Sequence, residues 1–319
     1  MRLLITGGAG FVGANLIAKL QEGSSYAIRV LDNESLGRRR HLSEFSGIEF
    51  LKGDIRDDGS LRQALAGCDA VVHLAADTRV MDSIADPSLN FAVNVEGSFK
   101  LLKQARDLGV ERIINASTGG AIMGDVEPPV HEGMVPQPIS PYGASKLASE
   151  GYMSAFAGSY GLRTLSLRFS NIYGPRSYHK GSVVAAFFKE ILAGRPLMVY
   201  GDGSQQRDFL YADDLAAGIE AAIHSDLTGV YQLGSGRPTS VASLIGTMRR
   251  VIGTDFEIAV AHEDFRQGEI HSTWCDISRA REDLGFSPAT SLEQGIRASW
   301  AWFLAAHRDG RLPARSAAT

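Results

Sequence analysis

The chain has 319 residues, 44% hydrophobic and 21% charged, a composition that fits a folded globular protein and excludes disordered and collagen-like chains. Thirty-two Lys and Arg against 36 Asp and Glu leave a formal net charge of −4, so nucleic acid and anionic membrane surfaces are not expected partners and a small molecule is. The two cysteines, Cys68 and Cys275, stand far apart and outside any CxxC spacing, which gives neither a disulfide framework nor a metal site and fits a reducing, cytoplasmic setting.

In chain order, short β-branched runs alternate with longer stretches of helical spacing. The runs cover 3–6, 27–31, 48–51, 70–74, 112–116, 164–169 and 230–233; helical stretches cover 11–20, 60–66, 87–108, 142–160 and 212–224. Several runs lack in/out alternation, as parallel strands covered on both faces do. The expected fold is therefore α/β, a Rossmann-type doubly wound parallel sheet. Residues 1–174, rejoined by about 212–236, are expected to form the nucleotide-binding domain. After 174 the pattern loosens, with helices expected at 182–193, 241–251 and 291–303 and a strand at 256–261. Residues 175–211 and 237–307 are read as a smaller mixed α/β substrate lobe over the carboxyl edge, and 308–319 as a frayed tail. No run of about eighteen apolar residues and no signal-like N-terminus is seen, so neither a membrane span nor secretion is expected.

The segment 6–13, Thr-Gly-Gly-Ala-Gly-Phe-Val-Gly, follows the first strand and opens the first helix, the context a dinucleotide fingerprint requires. It reads as GxGxxG from Gly8 or GxxGxxG from Gly7, with Gly10 and Gly13 completing it and Phe11 and Val12 beginning the helix. Glycines allow the tight turn and close backbone approach, and a helix N-terminus favours pyrophosphate. Asp32 ends the second strand about twenty residues on, where a carboxylate accepts both adenosine ribose hydroxyls and disfavours a 2′-phosphate. NAD is therefore expected over NADP, although Arg38, Arg39 and Arg40 offer either a 2′-phosphate site or a solvated loop face. Asp54 is placed at the end of the third strand, either bonding the adenine amino group or capping the next helix. Leu74, Ala75 and Ala76 supply small backbone-lined space after His73, which is read as structural.

Tyr142 and Lys146, at i and i+4, share one helical face, and among nine tyrosines only Tyr142 has Lys four residues on. A phenol with pKa near 10 becomes a base at pH 7 only if its anion is favoured by about 4 kcal/mol, and an ammonium and an oxidised nicotinamide both act in that sense. Thr118 ends the fifth strand at the same sheet edge and can hold the reacting hydroxyl, while Ser117 is read as satisfying turn backbone.

Several further motifs accompany these: HLAA at 73–76, VNVEG at 93–97, STGGAIMGD at 117–125, SPYGASK at 140–146, LRFSNIYGPR at 167–176, YGDGSQQRDFLYADD at 200–214, QLGSG at 232–236 and RQGEI at 266–270. Over nearly its whole length the chain resembles the extended short-chain dehydrogenase/reductase family, in its nucleotide-sugar epimerase/dehydratase branch, closest to UDP-glucose 4-epimerase-like members. The resemblance implies that Tyr142 removes a sugar hydroxyl proton while hydride passes to NAD, with Lys146 tuning the phenol and Thr118 assisting. It implies cofactor contacts at Gly7, Gly10, Phe11, Val12, Gly13, Asp32, Asn33, Asp54, Ile55, Leu74, Ala75, Ala76 and Asn94. It further implies UDP-sugar contacts at Asn171, Tyr200, Arg207, Arg266 and Glu269, Asn171 alternatively ordering the turn before Gly174.

Relatives that eliminate water carry an Asp-Glu pair after the catalytic Thr, and decarboxylases a Glu in that loop. Here Gly119 and Gly120 supply no acid, which leaves 4-epimerisation ahead of dehydration, decarboxylation and reduction, with a non-catalytic NAD-binding protein as the rival from another class. Met123 stands where relatives usually have Tyr, so a phenol hydrogen bond to the sugar pocket is expected to be lost. Pocket walls are expected around 77–83, 123–124 and 178–182; Tyr178, His179 and Lys180 read either as substrate contacts or as a polar loop. In relatives the helices matching 87–108 and 142–160 pair with a twin subunit in a four-helix bundle, implying a homodimer. Phe91, Phe99, Leu102, Tyr152, Met153 and Phe156 then serve either that interface or the chain's own core.

Overall fold

Seven parallel strands form the main sheet of the computed structural model, which describes residues 1–23, 26–265 and 270–311. In chain order the first six strands are β1 (Arg2–Thr6), β2 (Ala27–Asp32), β3 (Glu49–Lys52), β4 (Ala70–His73), β5 (Arg112–Thr118) and β6 (Arg163–Phe169). They are followed by β7 (Asn171–Tyr173), β8 (Leu197–Tyr200), β9 (Gln206–Tyr211), β10 (Gly229–Leu233), β11 (Pro238–Ser240), β12 (Val260–Glu263) and β13 (Ser272–Thr273). The main sheet runs β10-β6-β5-β4-β1-β2-β3, the doubly wound order, and it changes direction between β1 and β4. Strand-end residues Thr6, Asp32, His73 and Thr118 all reach the carboxyl edge there.

The helices are α1 (Phe11–Gly23), α2 (Asp58–Leu65), α3 (Val80–Ala85), α4 (Pro87–Phe91), α5 (Ser98–Asp107), α6 (Gly120–Met123), α7 (Pro141–Tyr160), α8 (Val183–Leu192), α9 (Ala212–His224), α10 (Val241–Ile252), α11 (Ser278–Leu284) and α12 (Leu292–Arg308). Leu3 and Ile5 point to the face covered by α1 and α9, Leu4 to the face covered by α2, α5 and α7. Alternation thus persists in space although both faces are apolar, which is why the strand sequences show none. Full burial of each such side chain contributes about 1.5–3 kcal/mol. A third apolar cluster, built around Phe188, Trp300 and Phe303 from α8 and α12, packs beside β9. In that region β7, β11 and β13 pair with β9, and β12 pairs with β8.

Several expectations need correction. The helix expected over 87–108 is α4 and α5 joined by a π-helical turn at Ala92–Gly97, because Asn94 is drawn inward by three hydrogen bonds to Asp77 and Ser145. The strand expected at 256–261 starts later, at Val260, where it can pair with β8. The third strand ends at Lys52, so Asp54 lies in the loop beyond it, and Asp57 caps α2 instead, accepting from Ser60 N at 2.7 Å. Arg308 belongs to α12, and the rest of the expected tail from 312 onward lies outside the described residues. Among the described residues no helix is long and apolar enough to cross a membrane.

Candidate active site

A cavity of about 310 Å³ opens at the carboxyl edge of the main sheet. Phe11 and Val12 of α1, and Leu74 and Ala76 after β4, form one side; Thr118, Tyr142 and Lys146 form its floor.

On the first side the glycine turn makes a cradle that side chains would fill. Gly7 has φ 69°, and a Cβ there would lie 2.7 Å from Ala75 N; a Cβ at Gly13 would lie 2.5 Å from Gly8 Cα. Gly10 N donates to Gly7 O at 3.1 Å, closing the turn, and α1 begins at once with no acidic residue in its first turn. The open N-terminus and the bare backbone fit a dinucleotide pyrophosphate. Asp32 is only 7% exposed and accepts from Ala9 N at 3.0 Å and Glu34 N at 2.8 Å, one bond on each oxygen. A carboxylate accepts about four bonds, so capacity for ribose hydroxyls remains.

Other cofactor-side expectations sort differently. Asp54 is held well below the usual carboxylate range by Arg56, which bonds both its oxygens, and Asn33 bonds one as well. Arg38 donates to the Glu34 and Gly37 carbonyls of its own loop, and Arg39 lies over the Phe50 ring of β3. Ile55 is buried where Gly97 leaves room for it. Asn94 is buried and, among the described residues, absent from the cavity lining; its bonds to Asp77 and Ser145 fix the walls instead. His73 is fully enclosed between Thr6 and Ser98, at 2.8 and 2.9 Å, and burial pushes it down to about 3, so it stays neutral.

The Tyr142–Lys146 pair owes its position to the start of α7. Ser140 caps the helix, its hydroxyl accepting from Gly143 N at 3.2 Å, and Pro141 fits the first helical position. A Cβ at Gly143 would collide with the Ala121 carbonyl, so glycine is what lets this turn approach α6 and bring Tyr142 to Thr118. Tyr142 and Thr118 line the same cavity; burial pushes the phenol up to about 12 while the nearby Thr118 side chain opposes that rise. Lys146 is 5% exposed, donates from Nζ to Ala116 O at 2.9 Å, and is pushed down to about 8 by burial. Ser117, read from sequence as a turn residue, instead donates to Glu150 Oε1 at 2.6 Å.

Across the cavity stand Ser170, Asn171, Lys180 and Ser182. Among the described residues the hydroxyls of Ser170 and Ser182 are buried without partners, and Ser182 precedes α8 without using its side chain as a cap. The Lys180 ammonium is lowered by burial and by Arg79, with no anion opposing it. The sequence leaves Lys180 undecided, places Ser182 only at the end of the expected 178–182 wall, and gives no sign of Ser170, since a lone Ser carries no spacing signal. Tyr200 and Arg207 are not in the cavity lining among the described residues; Arg207 donates to the Gln206 and His271 carbonyls, two residues along β9 from the lining residue Phe209. Arg266 and Glu269 lie outside the described residues. Met123 is fully buried away from the cavity, its sulfur 3.7 Å from Arg168 Nη1, so it forms no wall of the pocket.

Comparison with known proteins gives a consistent result. The chain is 35% identical to the crystallised UDP-glucose 4-epimerase of Thermotoga maritima bound to UDP-glucose, with a TM-score of 0.90 over 96% of this chain and 100% of that one. The UDP-glucose 4-epimerase of Thermus thermophilus, crystallised with NAD, is 34% identical with a TM-score of 0.89, covering 96% of this chain and 100% of that one. A dTDP-glucose 4,6-dehydratase of Streptomyces griseus is also 34% identical, over 94% of this chain and 93% of its own. The family model described as NAD dependent epimerase/dehydratase matches residues 3–234, from the first strand through the last strand of the main sheet, and the chain belongs to that family.

Proposed function

We propose that the protein is an NAD-dependent UDP-sugar 4-epimerase of the UDP-glucose/UDP-galactose type. The observation that carries this reading is the Thr118–Tyr142–Lys146 cluster on a cavity floor beside a loop without an acid. NAD, held by the Gly7–Gly13 cradle, supplies a reversible hydride acceptor. Tyr142 takes the proton from the sugar C4 hydroxyl, Thr118 holds that hydroxyl, and the Lys146 ammonium favours the phenolate. A 4-keto sugar that turns over in the cavity and is re-reduced on its other face gives the epimer. The protein then returns the proton from Tyr142.

Two further observations support this reading. A Cβ at Gly119 would lie 2.8 Å from Gln232 Oε1 and 3.1 Å from Cys275 Sγ, so that position is tight, and neither Gly119 nor Gly120 carries the acid that elimination of water needs. The Lys180 ammonium and the Ser170 and Ser182 hydroxyls, without partners among the described residues, suit an anionic, hydroxyl-rich ligand such as a sugar diphosphate. Asn171 and Arg207 are assigned to the same ligand.

The test is incubation of the purified protein with UDP-glucose, UDP-N-acetylglucosamine and UDP-glucuronate separately, followed by proton NMR and mass spectrometry. A new anomeric signal at unchanged mass, without net NADH, is expected, and Tyr142→Phe should lose it by about 10²–10⁴-fold. Loss of water or carbon dioxide would make the protein a dehydratase or decarboxylase instead.

We also propose a homodimer through α5 and α7. Leu102, Met153 and Phe156 are buried in the chain's own core, whereas Phe91, Phe99 and Tyr152 are 53%, 39% and 41% exposed. Phe99 and Tyr152 stack edge-on at 5.2 Å, an apolar patch suited to a second copy. Sedimentation of a Phe99→Asp/Tyr152→Asp variant as monomer, against a dimeric parent, is the expected outcome. Both cysteines are free and buried, which agrees with the proposed cytoplasmic setting.

A further inference from the structure

Tyr142, Lys146 and Glu150 recur every four residues along one side of α7, and the third of them has no part in the chemistry above. Glu150 and Arg168 are each 5% exposed and form a two-pronged pair, Arg168 Nε to Oε1 at 2.9 Å and Nη2 to Oε2 at 2.8 Å. Ser117, next to Thr118, adds a third bond to Glu150 Oε1 at 2.6 Å. The remaining Arg168 nitrogen, Nη1, rests on the Met123 sulfur. A buried ion pair is a poor way to stabilise a core, since well-packed apolar side chains of similar volume do as well or better. Its position one helical turn beyond Lys146 suggests another use.

The charged and titratable groups around Lys146 are few. On its own helix stand Tyr142 and Glu150; β4 presents His73, neutral and bonded at both ring nitrogens; β5 presents no titratable side chain at this end. From β6 comes Arg168, already spent on Glu150, and Asp77 after β4 acts on Tyr142. The Lys146 ammonium itself bonds the neutral Ala116 carbonyl.

We infer that Glu150, locked in place by Arg168 and Ser117, is a positioning residue whose negative charge keeps Lys146 an ammonium inside the buried site. Burial drives Lys146 down to about 8, and Glu150 is the group that opposes the fall. Because Lys146 is a base, removing the carboxylate lowers its pKa further, and the ammonium is then lost at lower pH. The functional meaning of this inference rests on the proposed role of Lys146 beside Tyr142.

The experiment titrates the protein labelled with ¹³C-lysine, in which seven lysines are resolved and Lys146 is assigned by Lys146→Arg. The parent midpoint is expected near 8. Glu150→Leu/Arg168→Met removes one charge of each sign, so it should lower the midpoint by less than Glu150→Gln, which removes the negative charge alone. Glu150→Gln should therefore give the larger fall, and Glu150→Asp, which restores the charge, should bring the midpoint back towards the parent value. Thermal unfolding of each variant is followed in parallel. An unchanged midpoint in folded Glu150→Gln overturns the inference and leaves the pair as a core strut. The alkaline limb of kcat should move with the lysine midpoint. A midpoint that moves in a protein whose parent turns over no UDP sugar would sustain the charge inference and defeat the epimerase reading.

Discussion

The two sides of the cavity are built from different materials. The side formed by the glycine turn and residues 74–76 is mostly backbone, fixed where β1 and β4 end, and added side-chain atoms have no space there. The side formed by 170–184 is made of side chains, several with unused polar atoms, carried on elements that leave the main sheet after β6. Backbone recognition fixes one ligand shape shared by many proteins; side-chain recognition can be retuned without disturbing the sheet. The first side should therefore fail abruptly under substitution and the second by degrees.

The sharpest break is Gly7→Val. With φ 69° and Ala75 N at 2.7 Å from a Cβ, the turn cannot close, and NAD affinity measured by calorimetry should fall by at least about 100-fold, beyond the ~1–2 kcal/mol of backbone strain. Asp32→Ala comes next. It leaves Ala9 N and Glu34 N without their acceptor and should weaken NAD binding by about 10- to 100-fold, the range of a charged hydrogen bond, with UDP affinity unchanged. Lys180→Met should do the reverse, raising KM for UDP sugars by about tenfold while leaving NAD affinity alone; equal losses of both ligands would erase the distinction between the two sides. The smallest effect is expected from Met123→Leu, which conserves volume in a closed core and should cost less than about 1.5 kcal/mol on thermal unfolding. A changed sugar preference in that variant would place Met123 in the pocket after all.

How legible each part was follows from how local its signal is. The glycine turn and the Tyr142–Lys146 pair are set by spacings of a few residues, and the sheet order follows from alternating β and α segments, so both could be read from the chain. Asp54 could not, because whether its carboxylate faces a ligand depends on Arg56 folding back onto it. Asn94 looked like a residue on a regular helix, yet its bonds to Asp77 and Ser145 open that helix into a π-turn. Met123 was assigned to the pocket from its place in a motif, whereas the short turn of α6 points it at Arg168. In each case a partner distant in sequence, or a side chain folding back, decided the outcome.

The strand order has a consequence for dividing the molecule. β10 pairs along its whole length with β6, residue Gly229 opposite Leu165 through Leu233 opposite Phe169, so the sheet's last strand arrives some sixty residues after its neighbour. A fragment ending at Gly174 would carry every glycine of the cradle and the Tyr142–Lys146 pair, yet would present β6 as a bare, apolar edge with unpaired N–H and C=O groups. Such an edge recruits other chains, and the fragment should aggregate rather than persist as an independent NAD-binding unit. Nascent chains face the same hazard until residue 233 has emerged, which makes the interval between β6 and β10 the vulnerable stretch of synthesis.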